Sequence, residues 1–184
     1  MVCRCRWAAR SRERSNGLFG RLSSGYGDQV IDGNWLSVRR NDPRAFGLWR
    51  HHYSAQKNWR WRAVGDTNIL GPGECQVLLS KCGRALFAWQ HNTAERFDGQ
   101  IGVCCTVFRN EGAGLSSELI READELARQR WPQLMRHFTY VDAAKTKQRR
   151  SRHAPPGKCF IEAGWRECGH SKEGLVLLER VWSL

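Results

Sequence analysis

Residues 101–120 read Ile101-Gly-Val-Cys-Cys-Thr-Val-Phe108, then Arg109-Asn-Glu-Gly112-Ala-Gly114, then Leu115-Ser-Ser-Glu-Leu-Ile120. The first block is apolar on both faces, which predicts a central strand covered on both sides. From the third block onward Leu115, Leu119, Ile120, Ala123, Leu126 and Ala127 recur at helical spacing. Glu118, Glu122 and Glu125 come early and Arg128 and Arg130 late, the order a helix dipole favours. The two glycines between let the backbone approach a ligand closely and leave several N–H groups at a helix N-terminus, where the dipole favours an anion. Arg109 adds a permanent charge with forked donors. Strand, glycine loop and helix together read as a phosphate cradle.

Outward from this unit the pattern stays α/β. Upstream, 75–80 and 85–89 are β-rich runs joined around Cys82-Gly83-Arg84, a hairpin, and a polar loop follows. Downstream, 138–141 is the next strand, parallel to the first under the βαβ rule. A basic loop covers 143–157, a short helix 159–163, and a closing hairpin pairs 165–168 with 175–181. A short helix is expected over 43–52. Residues 1–28, rich in Arg, Ser and Gly, read as a flexible basic extension. The expectation is one α/β domain over 29–184, with a mixed, strongly twisted central sheet of about six or seven strands flanked by helices.

The 184 residues carry 30 Lys and Arg against 18 Asp and Glu, a net charge of +12. A field of that sign favours polyanions, either nucleic acid or the phosphates of a nucleotide cofactor. The charge is clustered, and Arg50, Lys57, Arg60, Lys145, Lys147, Arg149 and Arg150 are the candidate nucleic-acid contacts. Trp49, Trp59 and Trp61 interleave with the cluster that runs from Arg39 to Arg62; these three and Trp89 read more simply as core than as base platforms, with at least two expected to be core. The eight cysteines include no paired C-x-x-C, so reduced thiols are expected, with no metal site. No apolar run approaches the roughly 20 residues of a membrane helix. A cytoplasmic protein with no membrane partner is expected.

Arg109-x-x-Gly112-x-Gly114 matches the Q/R-x-x-G-x-G/A signature of the GNAT acyltransferases. Lys158-Cys-Phe160-Ile-Glu-Ala-Gly164-Trp165 resembles that family's late helix-turn-strand block. The resemblance spans 73–182 and implies an N-acyltransferase using acetyl-CoA or another acyl-CoA. It implies that the backbone of Val107 and Phe108 pairs with the pantetheine arm. It places the pyrophosphate on Arg109, Gly112, Ala113, Gly114 and Leu115, at the head of a helix bearing Ser117. Two departures stand out. Phe160 lies where many members have a Tyr that protonates the leaving thiolate, and Tyr140 and Asp142 lie where many have an Asn. Tyr140 or Tyr53 would then supply the acid, or the reaction proceeds without one.

A narrower resemblance is to the Mom DNA-modification proteins of phages and prophages. It rests on His51-His52-Tyr53-Ser54, Ser116-Ser117 and Asp142. It implies a DNA partner, with the N6 amine of adenine as acceptor, in a bacterial or phage-infected cell. His52, Tyr53 and Asp142 would converge on one cleft, with Asp142 or His52 as base. Two alternatives stand beside it. One is a GNAT enzyme acting on a protein or small-molecule amine. The other is a non-catalytic basic nucleic-acid-binding protein whose glycine loop is only a turn.

Overall fold

The structure is a computed structural model that describes residues 29–31, 33–58, 65–71, 73–146 and 154–183; side chains are described for all of these except 29, 30 and 56–58. The basic extension over 1–28 lies outside the described residues, as do Trp59 and Trp61. In chain order the elements are β1 (Gln29–Val30), β2 (Trp35–Val38), α1 (Pro43–Arg50), α2 (Tyr53–Asn58), β3 (Glu74–Ser80), β4 (Ala85–His91), β5 (Val103–Asn110), α3 (Ser116–Arg130), β6 (Arg136–Val141), α4 (Lys158–Glu162), β7 (Arg166–His170) and β8 (Val176–Val181).

All eight strands join one sheet in the order β1-β2-β3-β4-β5-β6-β8-β7. Every neighbouring pair is antiparallel except β5 and β6, which the α3 crossover makes parallel. The sheet is thus larger than the six or seven strands expected, because β1 and β2 extend one edge. A single large side chain holds β2 in place: Trp35 is fully buried and its Nε1 donates to the Leu119 carbonyl of α3 at 3.2 Å.

The central strand starts two residues later than its apolar run. Ile101 is 80% exposed, and its carbonyl accepts from Arg136 while the side-chain oxygen of Gln100 accepts from the same guanidinium. That clamp takes 100–101 out of the ladder. At the other end Arg109 and Asn110 continue the strand, opposite Leu86 and Ala85.

Both faces of the sheet are covered. On one, α3 and α4 bury Phe87, Trp89, Leu119, Ile120, Phe160 and Trp165. On the other, α1 and its neighbours pack Trp49 and Leu48 on Val77, Leu86 and Val107. Trp49 and Trp89 are therefore both core. Burying side chains of this size contributes roughly 1.5–3 kcal/mol each. Cys104 and Cys105 behave as small apolar residues. Burial pushes both thiols up, Cys104 to about 12.

One polar cluster sits inside the α3 face. The fully buried Asp124 of α3 meets His137 Nδ1, Trp165 Nε1 and Arg180, each at 2.9 Å. Arg180 also donates to the Ala163 carbonyl at 3.1 Å. Asp124 thereby ties α3 to β6, to β8 and to the turn after α4.

Candidate active site

β5 and β6 part company halfway along. Their parallel ladder comprises Val103–His137, Cys104–Phe138 and Cys105–Thr139 and goes no further. A bulge lies at the same level. Ala88 of β4 pairs with Val107 and Trp89 with Cys105, so Thr106 is the extra residue, its Oγ1 donating to the Ala88 carbonyl at 3.1 Å. A bulge bends its strand and sharpens the local twist, here carrying the end of β5 away from β6. Beyond Cys105 the backbone edge of β5 has no strand partner on that side among the described residues. Val107 and Phe108 stand on this open edge, their side chains anchored in the cores of opposite faces.

The 109–115 loop leads from that edge into α3. Its interior is organised by Asn110. The side-chain oxygen accepts from Gly112 N at 3.0 Å and Ala113 N at 2.8 Å, and Nδ2 donates to the Gly114 carbonyl and Ser116 Oγ, both at 2.9 Å. Leu115 is the N-cap of α3 and caps nothing with its side chain. Among the described residues the amides of Gly114, Leu115, Ser116 and Ser117 find no acceptor. Gly114 has φ +153, and a Cβ there would have no protein atom within 4 Å. The head of α3 is therefore an uncapped, positively polarised helix end faced by open space.

Arg109 does not stand free over this loop. It pairs with Glu111 and donates to the His51 carbonyl at 2.6 Å. The cation that lies against the glycines comes from the β3–β4 hairpin: a Cβ on Gly112 would be 3.9 Å from the guanidinium of the exposed Arg84. The hairpin and loop are joined by the Glu111 N–H, which donates to the Arg84 carbonyl at 2.7 Å. Sequence reading saw Arg84 only as a turn residue, because its nearness to Gly112 arises from the β4–β5 register.

The resemblance-derived acceptor residues fall on the opposite face from α3. Tyr53, the first residue of α2, reaches across the opening between β5 and β6, its hydroxyl donating to the Tyr140 carbonyl at 3.4 Å. The Asp142 N–H also bonds this phenol, and burial raises its pKa above the usual value. His52 stacks beside Tyr53 with ring centroids 4.3 Å apart. Its Nδ1 accepts from the Ser54 N–H at 3.3 Å and lies 2.7 Å from Ser54 Oγ, which assigns the proton of the neutral ring to Nε2. The Tyr140 hydroxyl is committed to Asp98 at 3.0 Å. The Asp142 carboxylate accepts from Ala144 N at 3.2 Å and faces Lys145 Nζ at 3.7 Å. Phe160 is buried among Phe87, Phe108 and Trp165 and offers no hydroxyl.

Of the candidate nucleic-acid contacts, Arg50 is exposed at the end of α1 and Lys145 is turned toward Asp142. Arg60, Lys147, Arg149 and Arg150 lie outside the described residues, as does the side chain of Lys57.

Burial, reinforced by the charge of Arg109, lowers the His52 pKa to about 4. A base whose folded pKa lies below its unfolded value stabilises the fold above the unfolded pKa and loses that contribution as pH falls toward the folded one. Between about pH 7.5 and pH 4.5 the wild type should lose roughly 2 kcal/mol through this residue. Urea unfolding at the two pH values should show the loss in the wild type and a correspondingly smaller one in His52→Gln. Equal losses in the two proteins would mean that His52 is not buried as a neutral ring.

No protein-family model matches the sequence, and no curated protein matches it. Solved structures do. The aminoglycoside acetyltransferase AAC(6')-Ib in complex with coenzyme A superposes with a TM-score of 0.50 at 14% identity, over 80% of this chain and 94% of that one. The same figures hold for its complex with coenzyme A and kanamycin. Its complex with paromomycin and acetyl-CoA matches equally well over 92% of that chain. The chain has the GNAT fold. Among the described residues no helix is long and apolar enough to cross a membrane.

Proposed function

We propose that the protein is an N-acyltransferase that takes an acyl group from a CoA thioester and delivers it to a small-molecule amine. The observation that carries this reading is the continuity of two open hydrogen-bonding surfaces: the free edge of β5 beyond Cys105 and the amides at 114–117. An extended amide-bearing chain ending in a pyrophosphate suits that pair. The edge offers strand-like pairing to the pantetheine amides, and the uncapped helix end offers N–H groups to the phosphates. Arg84 lies beside the glycines to add charge.

The chemistry then falls at the opening between β5 and β6. The amine nitrogen attacks the thioester carbonyl, the C–S bond breaks, and the CoA thiolate takes a proton. Tyr53 is the residue we assign as the donor. Its pKa is raised by burial, so it holds its proton at neutral pH. Phe160 has no proton to give, and the Tyr140 hydroxyl is spent on Asp98. The proton of the attacking amine goes to Asp142. The unprotonated nitrogen of His52 stays on the Ser54 N–H.

A small-molecule acceptor is favoured over DNA adenine. Kanamycin and paromomycin, both amine-bearing, occupy complexes of the superposed acetyltransferase. Lys145, the described basic residue of the predicted basic loop, is turned to Asp142 at 3.7 Å.

Acetyl-CoA mixed with the protein and a panel of polyamines and aminoglycosides should release free CoA thiol and yield an acetylated amine by mass spectrometry. Release with duplex DNA alone, and with no amine on the panel, would restore the adenine reading. Tyr53→Phe should lower kcat about 100-fold, the usual scale for losing a general acid, and leave the dissociation constant of CoA unchanged. An unaltered kcat in that variant removes Tyr53 from the proton path.

A further inference from the structure

The structure assigns to Asn110 the sorting of the loop amides, making it the positioning residue that creates the donor-phosphate site. The assignment rests on the acyl-CoA reading above and goes beyond it to a side chain that touches no substrate atom.

The carboxamide of Asn110 uses both its acceptor oxygen and its NH2. The oxygen turns the Gly112 and Ala113 N–H groups inward, so neither faces a ligand. The NH2 draws the Gly114 carbonyl inward as well. In a trans peptide the carbonyl of one residue and the N–H of the next point in opposite directions. Holding the Gly114 carbonyl toward Asn110 therefore sends the Leu115 N–H outward, to join the free amides of Gly114, Ser116 and Ser117. The same bond removes a carbonyl oxygen from the neighbourhood of a bound anion. The second NH2 hydrogen goes to Ser116 Oγ at 2.9 Å, which ties the carboxamide to the first turn of α3. Asparagine alone among short side chains does both. An aspartate could accept from the two inward amides, yet it could not hold the Gly114 carbonyl and would set a negative charge beside the phosphates.

The experiment compares two donors on the intact enzyme, acetyl-CoA and acetyl-pantetheine, which lacks the phosphates. For Asn110→Ala, KM for acetyl-CoA should rise about tenfold, the scale of one to two hydrogen bonds. Its kcat at saturating donor should hold, and kcat/KM for acetyl-pantetheine should match the wild type. Asn110→Asp keeps the shape and the inward acceptor, so it guards against a folding defect in the alanine variant. It should weaken acetyl-CoA further, with the same indifference to acetyl-pantetheine. Equal losses on both donors would make Asn110 a general structural residue and overturn the assignment, as would unchanged KM values in both variants. If the wild type is not stabilised thermally by CoA and uses neither donor, the acyltransferase reading itself falls. A wild type that binds CoA beside variants that bind it equally well defeats the Asn110 assignment alone.

Discussion

Gly114→Val abolishes the thermal stabilisation that acetyl-CoA gives the wild type, while the variant without ligand still unfolds in one cooperative step. The two halves of this expectation have separate causes. Saturating ligand at about 100 times its dissociation constant adds roughly 2.7 kcal/mol to a protein that binds it only when folded. That whole increment depends on phosphate oxygens reaching the amides beside Gly114. The Cβ of a valine there would meet no described atom within 4 Å outside its chain neighbours, so the fold tolerates the added carbon. The same space is the ligand's, and two methyl groups would hold the pyrophosphate off the Leu115 and Ser116 amides. The backbone cost is modest by comparison. At φ +153 a β-branched residue is strained by about 1–3 kcal/mol, which lowers the melting temperature of the free variant by several degrees. Differential scanning fluorimetry with and without acetyl-CoA reads both effects at once. An undiminished ligand shift in Gly114→Val would place the donor elsewhere on the molecule.

The strand, glycine loop and helix around 103–130 were legible in the sequence because their signals are local. Helical spacing from Leu115 to Ala127, acids before bases, and glycines at 112 and 114 all report on neighbours within a few residues. The hairpin around Gly83, the parallel β6 and the closing β7–β8 pair were legible for the same reason. The elements that escaped notice lack such periodicity. β2 is four residues with one buried side chain, Trp35, whose bond to Leu119 spans 84 positions. Tyr53–Asn58 has no apolar stripe to announce α2.

Within the site, identity was easier to read than partnership. Arg109 carries the charge that the motif implies, yet its guanidinium is held by Glu111 and the His51 carbonyl. Arg84 lies nearer the glycines only because β4 and β5 are in register at Ala85 and Asn110. The opening between β5 and β6 depends on a bulge at Thr106, which a run of apolar residues does not reveal. Asn110 did carry a signal, since an Asn two residues before a Gly is a natural side-chain-to-backbone turn. The basic clusters had a sign but no address, and charge alone could not say which anion they meet.

Asp124 was the other signal open to a closer reading, an acid on the apolar stripe of α3 between Ala123 and Ala127. A buried carboxylate must be matched, and the structure matches it three times, to His137, Trp165 and Arg180. Asp124→Ala should therefore cost about 3–5 kcal/mol, the range for removing one partner of a buried charged pair. It would leave the Trp165 N–H without this acceptor and the Arg180 guanidinium with the Ala163 carbonyl and the face of the Trp182 ring but no carboxylate at Asp124. His137 would fare worse still. Burial holds this ring neutral by lowering its pKa. Nδ1 then carries the proton given to Asp124, while Nε2 already lacks a partner. Removing the carboxylate leaves both ring nitrogens unmatched. In a domain of this size the loss corresponds to a fall in melting temperature on the order of 10 °C, and urea unfolding should show it as a lower midpoint at unchanged slope. The cause can be separated from simple cavity formation by adding Arg180→Met. If the cost lies in the stranded charge, Asp124→Ala with Arg180→Met should recover part of the stability, because apolar replacements of a buried ion pair are often neutral. A double variant no more stable than Asp124→Ala would assign the loss to packing and to His137. A single variant within about 1 kcal/mol of the wild type, the scale of ordinary surface substitutions, would show that the cluster does not hold α3 to the sheet at all.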